Sequence, residues 1–362
     1  MSIFTNLKIV DLTRVFSGPF ATRHFADFGA EVIKIEPIEG DDTRRFPPLK
    51  NGWSGYFELL NRNKKSIFLN LKDEEDLNRL YNICKDADVF VENFSPVVKK
   101  KLKIDYKIIK KINPNIIYAS VNGISENIDR KYYDAIAQAE SGLVSLNGAT
   151  EDMKISTSIV DAFSGMKLAY AISSALYYRE KTGRGQNISV SMKGSAFDLL
   201  EQNLIEASVT GENPKKVGNM DNAIAPFGLF KTKDGSIMLA VGNDSLWEKL
   251  CKFLITENEK FNTQIFSTNE ERLKNLNDLI QQIESVFQSF TTVALSDILN
   301  QLSIPNSVVQ KMTDVINCKE NYDQGLLVKI KHSIAGDIVV STGGINFSES
   351  GLERYEESPI DK

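Results

Sequence analysis

The chain has 362 residues, 42% of them apolar and 25% charged, and a formal net charge of −5. That length supports two domains and a sizeable core, and the mildly acidic balance argues against a nucleic-acid partner. Three scattered cysteines (Cys84, Cys251, Cys318) and two isolated histidines (His24, His332) suggest no disulfide framework, no metal site and no Ser-His-Asp triad. With no signal peptide and no apolar run long enough to span a bilayer, the expectation is a cytoplasmic protein without a membrane partner.

In chain order, residues 7–12 (LKIVDL) read as a buried strand that breaks at Ser17-Gly18-Pro19, and residues 21–28 read as a helix stopped by Gly29. Pro19 suits a first helical turn, where its missing N–H is harmless. Residues 30–36 (AEVIKIE) form a second strand, so the segment is a β-α-β unit and implies a parallel α/β sheet. A helix start after the first strand favours anions, and Glu36 stands where an acidic residue holds a ribose in dinucleotide folds. F-S-G-P-F-A, however, has one of the three glycines of that fingerprint, which disfavours NAD binding.

Strands at 66–71, 88–94 and 116–121 follow, separated by a helix at 73–86 and short basic helices after Ser95-Pro96 and at 106–112. Residues 133–146 read as one helix with a small-residue face. A strand at 187–192 and a helix at 195–209 end the regular alternation. Residues 211–224 are polar and read as a linker. Beyond them come a hairpin over 229–239 turning at Lys233-Asp234-Gly235, helices at 244–253, 270–289 and 295–301, and strands at 325–330 and 337–340. This region lacks β-α alternation and reads as a separate α+β domain. The tail after Ser348 reads as acidic and loose.

The most informative stretch runs from Ser156 to Gln186. Asp161 stands at the mouth of a long helix behind Ile159 and Val160, and Gly183-Arg184-Gly185 ends that helix after a basic last turn. Ala162, Ser164, Gly165, Ala169, Ala171, Ser173, Ser174 and Ala175 make the helix thin enough for another backbone to approach. On local grounds Asp161 is either a helix cap or a chemical group. Lysines such as Lys72, Lys101 and Lys131 read locally as solvated surface.

Taken together, V-D-L-T-R-V-F-S-G-P, G-A-E-V-I-K-I-E, G-D-D-T-R, N-R-N-K-K-S-I-F-L-N-L-K, D-V-F-V-E-N-F-S-P, Y-D-A-I-A-Q-A-E-S-G-L and T-G-R-G-Q, with A-P-F-G-L-F and A-V-G-N-D-S-L-W further on, resemble the class III (CaiB/BaiF-type) CoA-transferase family. That family includes formyl-CoA transferase and the carnitine CoA-transferase. The resemblance covers most of the chain and is densest over residues 6–200. It implies a Rossmann-like large α/β domain with a parallel sheet (1–210, completed by 322–362), the linker 211–224, a smaller α+β domain (225–321) and an interlocked homodimer.

The resemblance also implies a reaction. Asp161 would be the nucleophile that takes the acyl group of an acyl-CoA as a mixed anhydride, passes through an aspartyl-CoA thioester, and yields to a carboxylic acid acceptor. Coenzyme A enters as substrate, not as a permanently bound cofactor. Its contacts would be the Arg14-Val15-Phe16-Ser17 turn, Leu69 and Lys72, Asn93 and Phe94 with Lys101, and Lys131 near the pantetheine. Tyr133 would line the acyl pocket, with Glu140 close to it. Four departures stand out. Phe16 replaces a glutamine of formyl-CoA transferase, Lys101 replaces an arginine and loses its bidentate fork, and Pro37-Ile38 stand where a basic residue follows the second strand. The stretch from Gly218 to Ala223 lacks the glycine run of that enzyme's active-site loop.

Three rivals differ in testable ways. The 2-methylacyl-CoA racemases of the same superfamily use a His and Asp pair, with the histidine in a motif where this chain has Lys131-Tyr132-Tyr133-Asp134; without a histidine between residues 25 and 331 the base is missing. A CoA-binding protein without turnover is the second. An NAD-linked oxidoreductase is the third.

Overall fold

Six strands form one parallel sheet, whose inner strands are buried on both faces. They are β1 (Lys8–Asp11), β2 (Glu31–Glu36), β3 (Lys65–Phe68), β4 (Val89–Glu92), β5 (Ile117–Asn122) and β6 (Asn187–Ser191), in the spatial order β3-β2-β1-β4-β5-β6. Alternate residues serve opposite faces. Ile9, Val32, Val89, Val91, Ile117 and Ala119 pack under the helices Ser17–Asp27 and Ile159–Thr182, while Val10, Ile33, Phe90 and Tyr118 pack under Glu74–Lys85 and Tyr106–Ile112. Burial of each such side chain contributes about 1.5–3 kcal/mol.

The computed structural model describes residues 2–261, 263–350 and 355–360. The chain divides into two compact units, one made of Met1–Val144, Lys154–Gly211 and Lys319–Lys362, the other of Ser145–Met153 and Glu212–Cys318. The first holds the parallel sheet and a hairpin, Leu327–His332 with Gly336–Ser341. The second holds a three-stranded sheet in which Ser236–Ala240 lies between Phe227–Lys231 and Asn306–Val308. Its core gathers Phe230, Trp247, Phe266 and Phe287 against the helices Asp244–Glu257, Leu276–Phe287 and Thr292–Gln301. Among the described residues no helix is long and apolar enough to cross a membrane.

The element order matches the sequence reading, with instructive departures. The first helix begins at Ser17, four residues before the expected start, because Ser17 and Gly18 carry N–H groups that open a helix without partners of their own. The expected helix at 133–146 stops at Ser141, where Gly142 turns left-handed (φ 92°). Those at 195–209 and 270–289 are each broken once, at Leu200 and at Asn275. The strand Asn306–Val308 was not foreseen. Nor is the tail loose over residues 355–360: Ser358 is buried, its N–H donates to Glu58 at 2.9 Å, and the Pro359 carbonyl accepts from Arg44 at 2.9 Å. Residues 351–354 and 361–362 of that tail lie outside the described residues.

The first helix and the long helix Ile159–Thr182 cross closely, and glycine permits it. A Cβ on Gly165 would stand 2.6 Å from the Ser17 carbonyl oxygen and 3.1 Å from the Phe20 ring. Gly165→Ala is therefore expected to push the two helices apart and destabilise the protein by about 1–3 kcal/mol, read as a lower urea midpoint with an unchanged slope.

Candidate active site

The strand order reverses between β1 and β4, and ligands of such sheets bind outside the strand ends at that switch. The loop leaving β1 is pinned there from several directions. Asp11 accepts the Thr13 N–H at 2.9 Å, the Thr22 hydroxyl at 2.6 Å and the Lys64 ammonium at 2.9 Å. Burial would raise the Asp11 pKa, but Lys64 and Lys34 outweigh it and hold the carboxyl at about 2. Lys64 also donates to the Pro19 carbonyl, and Lys34 to the Thr13 carbonyl. From β4, Asn93 closes the other side, its Oδ1 accepting the Arg14 N–H at 3.0 Å and its Nδ2 donating to the Arg14 carbonyl at 2.7 Å. Inside this frame Val15 takes a left-handed conformation (φ 66°), a rare and costly state for a β-branched residue.

Asp161 is the third residue of the long helix, and Ser158 holds the capping position. Of the two local readings, the cap fails, for the Asp161 side chain satisfies no amide of its own helix. Instead its Oδ1 accepts the Ser17 hydroxyl at 2.8 Å across the helix crossing. The carboxyl is largely withdrawn from water. That burial raises its pKa to about 6 from an ordinary 3.8; the Ser17 hydrogen bond opposes the rise and the nearby Asp134 charge adds to it. The same neighbourhood acts on Tyr56, whose phenol is pushed up to about 12 by burial, then by Asp161, Asp134 and Asp41.

Asp161 opens onto a cavity of 750 Å³ whose walls include Arg14, Val15, Phe16, Ser17, Asn93, Phe94, Lys131 and Tyr133. A second cavity, of 570 Å³, lies over the ends of β2 and β3 and shares Arg14, Phe94 and Val98 with the first. Leu69, Lys72 and Lys101 line it. Thus twelve of the thirteen residues singled out from the sequence come together around two adjoining cavities, with Arg14 and Phe94 at the join. Glu140 is the exception. It lines neither cavity and pairs with Arg130 at 2.6 Å and Lys193 at 3.3 Å. The acidic side chain beside Asp161 is Asp134, whose Oδ1 accepts the Asp161 N–H at 3.2 Å. The cationic ends of Arg14, Lys72, Lys101 and Lys131 make no hydrogen bond or ion pair among the described residues.

Two alternatives lose ground on the same geometry. Glu36, the would-be ribose ligand, spends its oxygens on Arg44 (2.7 Å to each), on Ser66 and on the Asp41 N–H. Neither His24 nor His332 lines either of these cavities, so a racemase base is absent from both. Among the described residues no group of three or more His, Cys, Asp or Glu could hold a metal ion.

The profile of CoA-transferase family III matches residues 4–360. This chain belongs to CoA-transferase family III. Among the family's relatives, the acetyl-CoA:oxalate CoA-transferase of Acetobacter aceti is 35% identical over 333 residues, covering 90% of this chain and 85% of that protein. The human succinyl-CoA:glutarate CoA-transferase is 32% identical over 361 residues, covering 98% and 82%. A crystal structure of a CaiB/BaiF family protein from Brucella suis superposes with a TM-score of 0.89 at 31% identity, covering 99% of this chain and 96% of that one.

Within this family III chain, sequence reading overlooked Asp11, Lys34, Lys64, Tyr56 and the pair Asp134 and Gln138. Lys64 was visible only as part of a basic run, and its burial depends on a partner 53 residues away. Asp134 and Gln138 left a local trace, since an Asp and a Gln four apart on a helix share one face.

The raised pKa of Asp161 has a consequence for stability. The folded state binds this proton more tightly than the unfolded chain does, so folding loses free energy as pH rises from about 4 to about 6. Asp161→Asn removes that loss. The variant is expected to be more stable than the parent by about 1–3 kcal/mol at pH 8 and no more stable at pH 4, as read by urea unfolding at both pH values.

Proposed function

We propose that this chain transfers coenzyme A from an acyl-CoA to a carboxylic acid through covalent intermediates on Asp161. The observation that carries the reading is a desolvated carboxylate, without a cation paired to it among the described residues, opening onto a cavity at the switch point of the sheet. Such a carboxylate is ionised at neutral pH yet poorly solvated, which suits a nucleophile.

The chemistry needs no proton. An Asp161 oxygen attacks the thioester carbonyl; an O–C bond forms, the C–S bond breaks, and CoA leaves as thiolate. The thiolate attacks the aspartyl carbonyl of the anhydride and releases the donor acid as carboxylate, leaving an aspartyl-CoA thioester. The acceptor carboxylate then forms a second anhydride, and the thiolate returns to its acyl carbon, regenerating Asp161. The absence of histidine from both cavity walls fits a cycle of nucleophilic exchanges alone.

The two cavities suit the two ends of the substrate. The second has apolar walls at Ile35 and Leu69 with the free cations Lys72 and Lys101, as a nucleotide bearing phosphates requires. Arg14 and Phe94, common to both, would border the pantetheine on its way to Asp161. Val15, Phe16, Ser17, Asn93 and Lys131 would complete the CoA contacts, and Tyr133 would face the acyl group.

We also infer a homodimer of the interlocked kind. The long helix exposes Met166, Tyr170, Tyr177 and Tyr178, and the helix Glu201–Thr210 exposes Leu204, Ile205 and Val209, with Tyr170 76% and Val209 80% accessible. Apolar side chains bared at helical spacing mark an association surface. Light scattering is expected to return twice the chain mass, and a monomer at micromolar concentration would overturn this part.

The decisive assay pairs acetyl-CoA and succinyl-CoA with oxalate, glutarate and mesaconate and follows new CoA esters by mass spectrometry. Asp161→Ala is expected to fold and bind CoA but to transfer nothing, and hydroxylamine to trap an adduct at position 161 in the parent alone. Lys72→Ala and Lys101→Ala should each raise KM for the CoA ester about tenfold with little change in kcat. Near-normal transfer by Asp161→Ala would end the mechanism.

A further inference from the structure

Asp134 and Gln138 both lie on the helix Asp134–Ser141, one turn apart, and both are buried. Asp134 Oδ1 accepts the backbone N–H of Val160 at 2.9 Å and of Asp161 at 3.2 Å, and its Oδ2 accepts Gln138 Nε2 at 2.6 Å. Gln138 continues the chain of contacts, its Oε1 accepting the Ile155 N–H at 2.9 Å and its Nε2 donating to the carbonyls of Ile155 (3.3 Å) and Thr157 (3.5 Å). The two side chains thus grip residues 155–161 on both sides of the turn into the long helix. Ser158, in the capping position, makes no side-chain bond to that helix. The first amides are capped from a different helix, by a carboxylate.

A neutral cap such as Ser158 would satisfy the same amides without placing a negative charge beside the nucleophile. We propose that Asp134 and Gln138 are positioning residues for the reaction of Asp161, an inference that rests on the covalent reading above: they fix the backbone from which Asp161 projects, and the Asp134 charge favours the neutral, acylated state of Asp161 over its carboxylate. When Asp161 attacks the thioester, its charge departs with the sulfur, so repulsion by Asp134 is relieved along the reaction coordinate. The Ser17 hydroxyl holds Oδ1 from the opposite side, and among the described residues Oδ2 receives no hydrogen bond, which leaves it to attack.

The other groups facing Asp161 are few. Tyr56 approaches from the helix Gly55–Asn61, and Arg14, Arg130 and Lys131 line the cavity. Arg130 and Lys193 are paired with Glu140. On the first helix, Arg23, His24 and Asp27 lie at the far end and engage one another and Arg62.

The test reads the carboxyl itself and needs no substrate. In protein labelled with ¹³C at aspartate carboxyls, the Asp161 signal is assigned by its loss in Asp161→Asn and followed against pH. Asp134→Asn keeps an oxygen for the two amides and removes the charge; it is expected to move the Asp161 midpoint down by about half a unit or more. An unmoved midpoint in a folded Asp134→Asn protein overturns the proposal. Gln138→Ala keeps the charge and loosens the grip. It is expected to leave the midpoint in place while slowing single-turnover adduct formation from acetyl-CoA or succinyl-CoA, whichever the parent uses, by roughly tenfold. Parent-like adduct formation by that variant also overturns it. If the parent forms no adduct from either ester, the covalent reading fails, and the titration still decides the electrostatic part separately.

Discussion

A carboxylate withdrawn from water must be neutralised, paired or made useful, and the first unit pairs five of its buried carboxylates with cations. Asp11 has Lys64, Asp27 has Arg62, Glu36 has Arg44, Asp41 has Lys34 and Glu92 has Lys99, each within 3.0 Å. Asp161 has a serine hydroxyl instead, and Asp134 has backbone amides and a glutamine. The contrast separates groups that stabilise a scaffold from a carboxyl that no cation neutralises among the described residues. The scaffold's ion pairs are not incidental to this, since Lys34 and Lys64 also grip the carbonyls of Thr13 and Pro19 and so hold the loop that delivers Ser17 to Asp161.

The strain at Val15 belongs to the same arrangement. A left-handed β-branched residue survives where the surroundings fix it on both sides, and here Asn93 clasps Arg14 while the first helix starts two residues later. A rigid loop is what the proposed group transfer requires, because a mobile loop would admit water to an acylated Asp161.

Much of this was legible in the residues, in a graded way. Alternation of apolar strands and amphipathic helices carried the sheet, and Gly183 marked the end of the long helix, because those signals are local. Asp161 stood out for its position before a run of small residues, and the Gly165 crossing explains why such a run is there. Signals that depend on distant partners were not legible. Nothing in N-R-N-K-K says that Lys64 is buried against Asp11, and nothing in Y-D-A-I-A-Q-A says that the helix turns Asp134, and not Glu140, toward Asp161. The helical repeat explains the second error: six residues on from Asp134, Glu140 falls on a different face, where it meets Arg130 and Lys193. The tail misled for a related reason: its charges looked solvated, but its backbone is what the rest of the unit uses.

That backbone contact has a bearing on how the molecule is made. Residues 355–360 close over Glu58, Asn63 and Arg44, groups emitted by the ribosome some three hundred positions earlier. While the nascent chain grows, the parallel sheet can assemble but its flank stays open, with Glu58 and Arg44 wet. The first unit is therefore completed only after the second has been synthesised, whatever the order in which its strands appear.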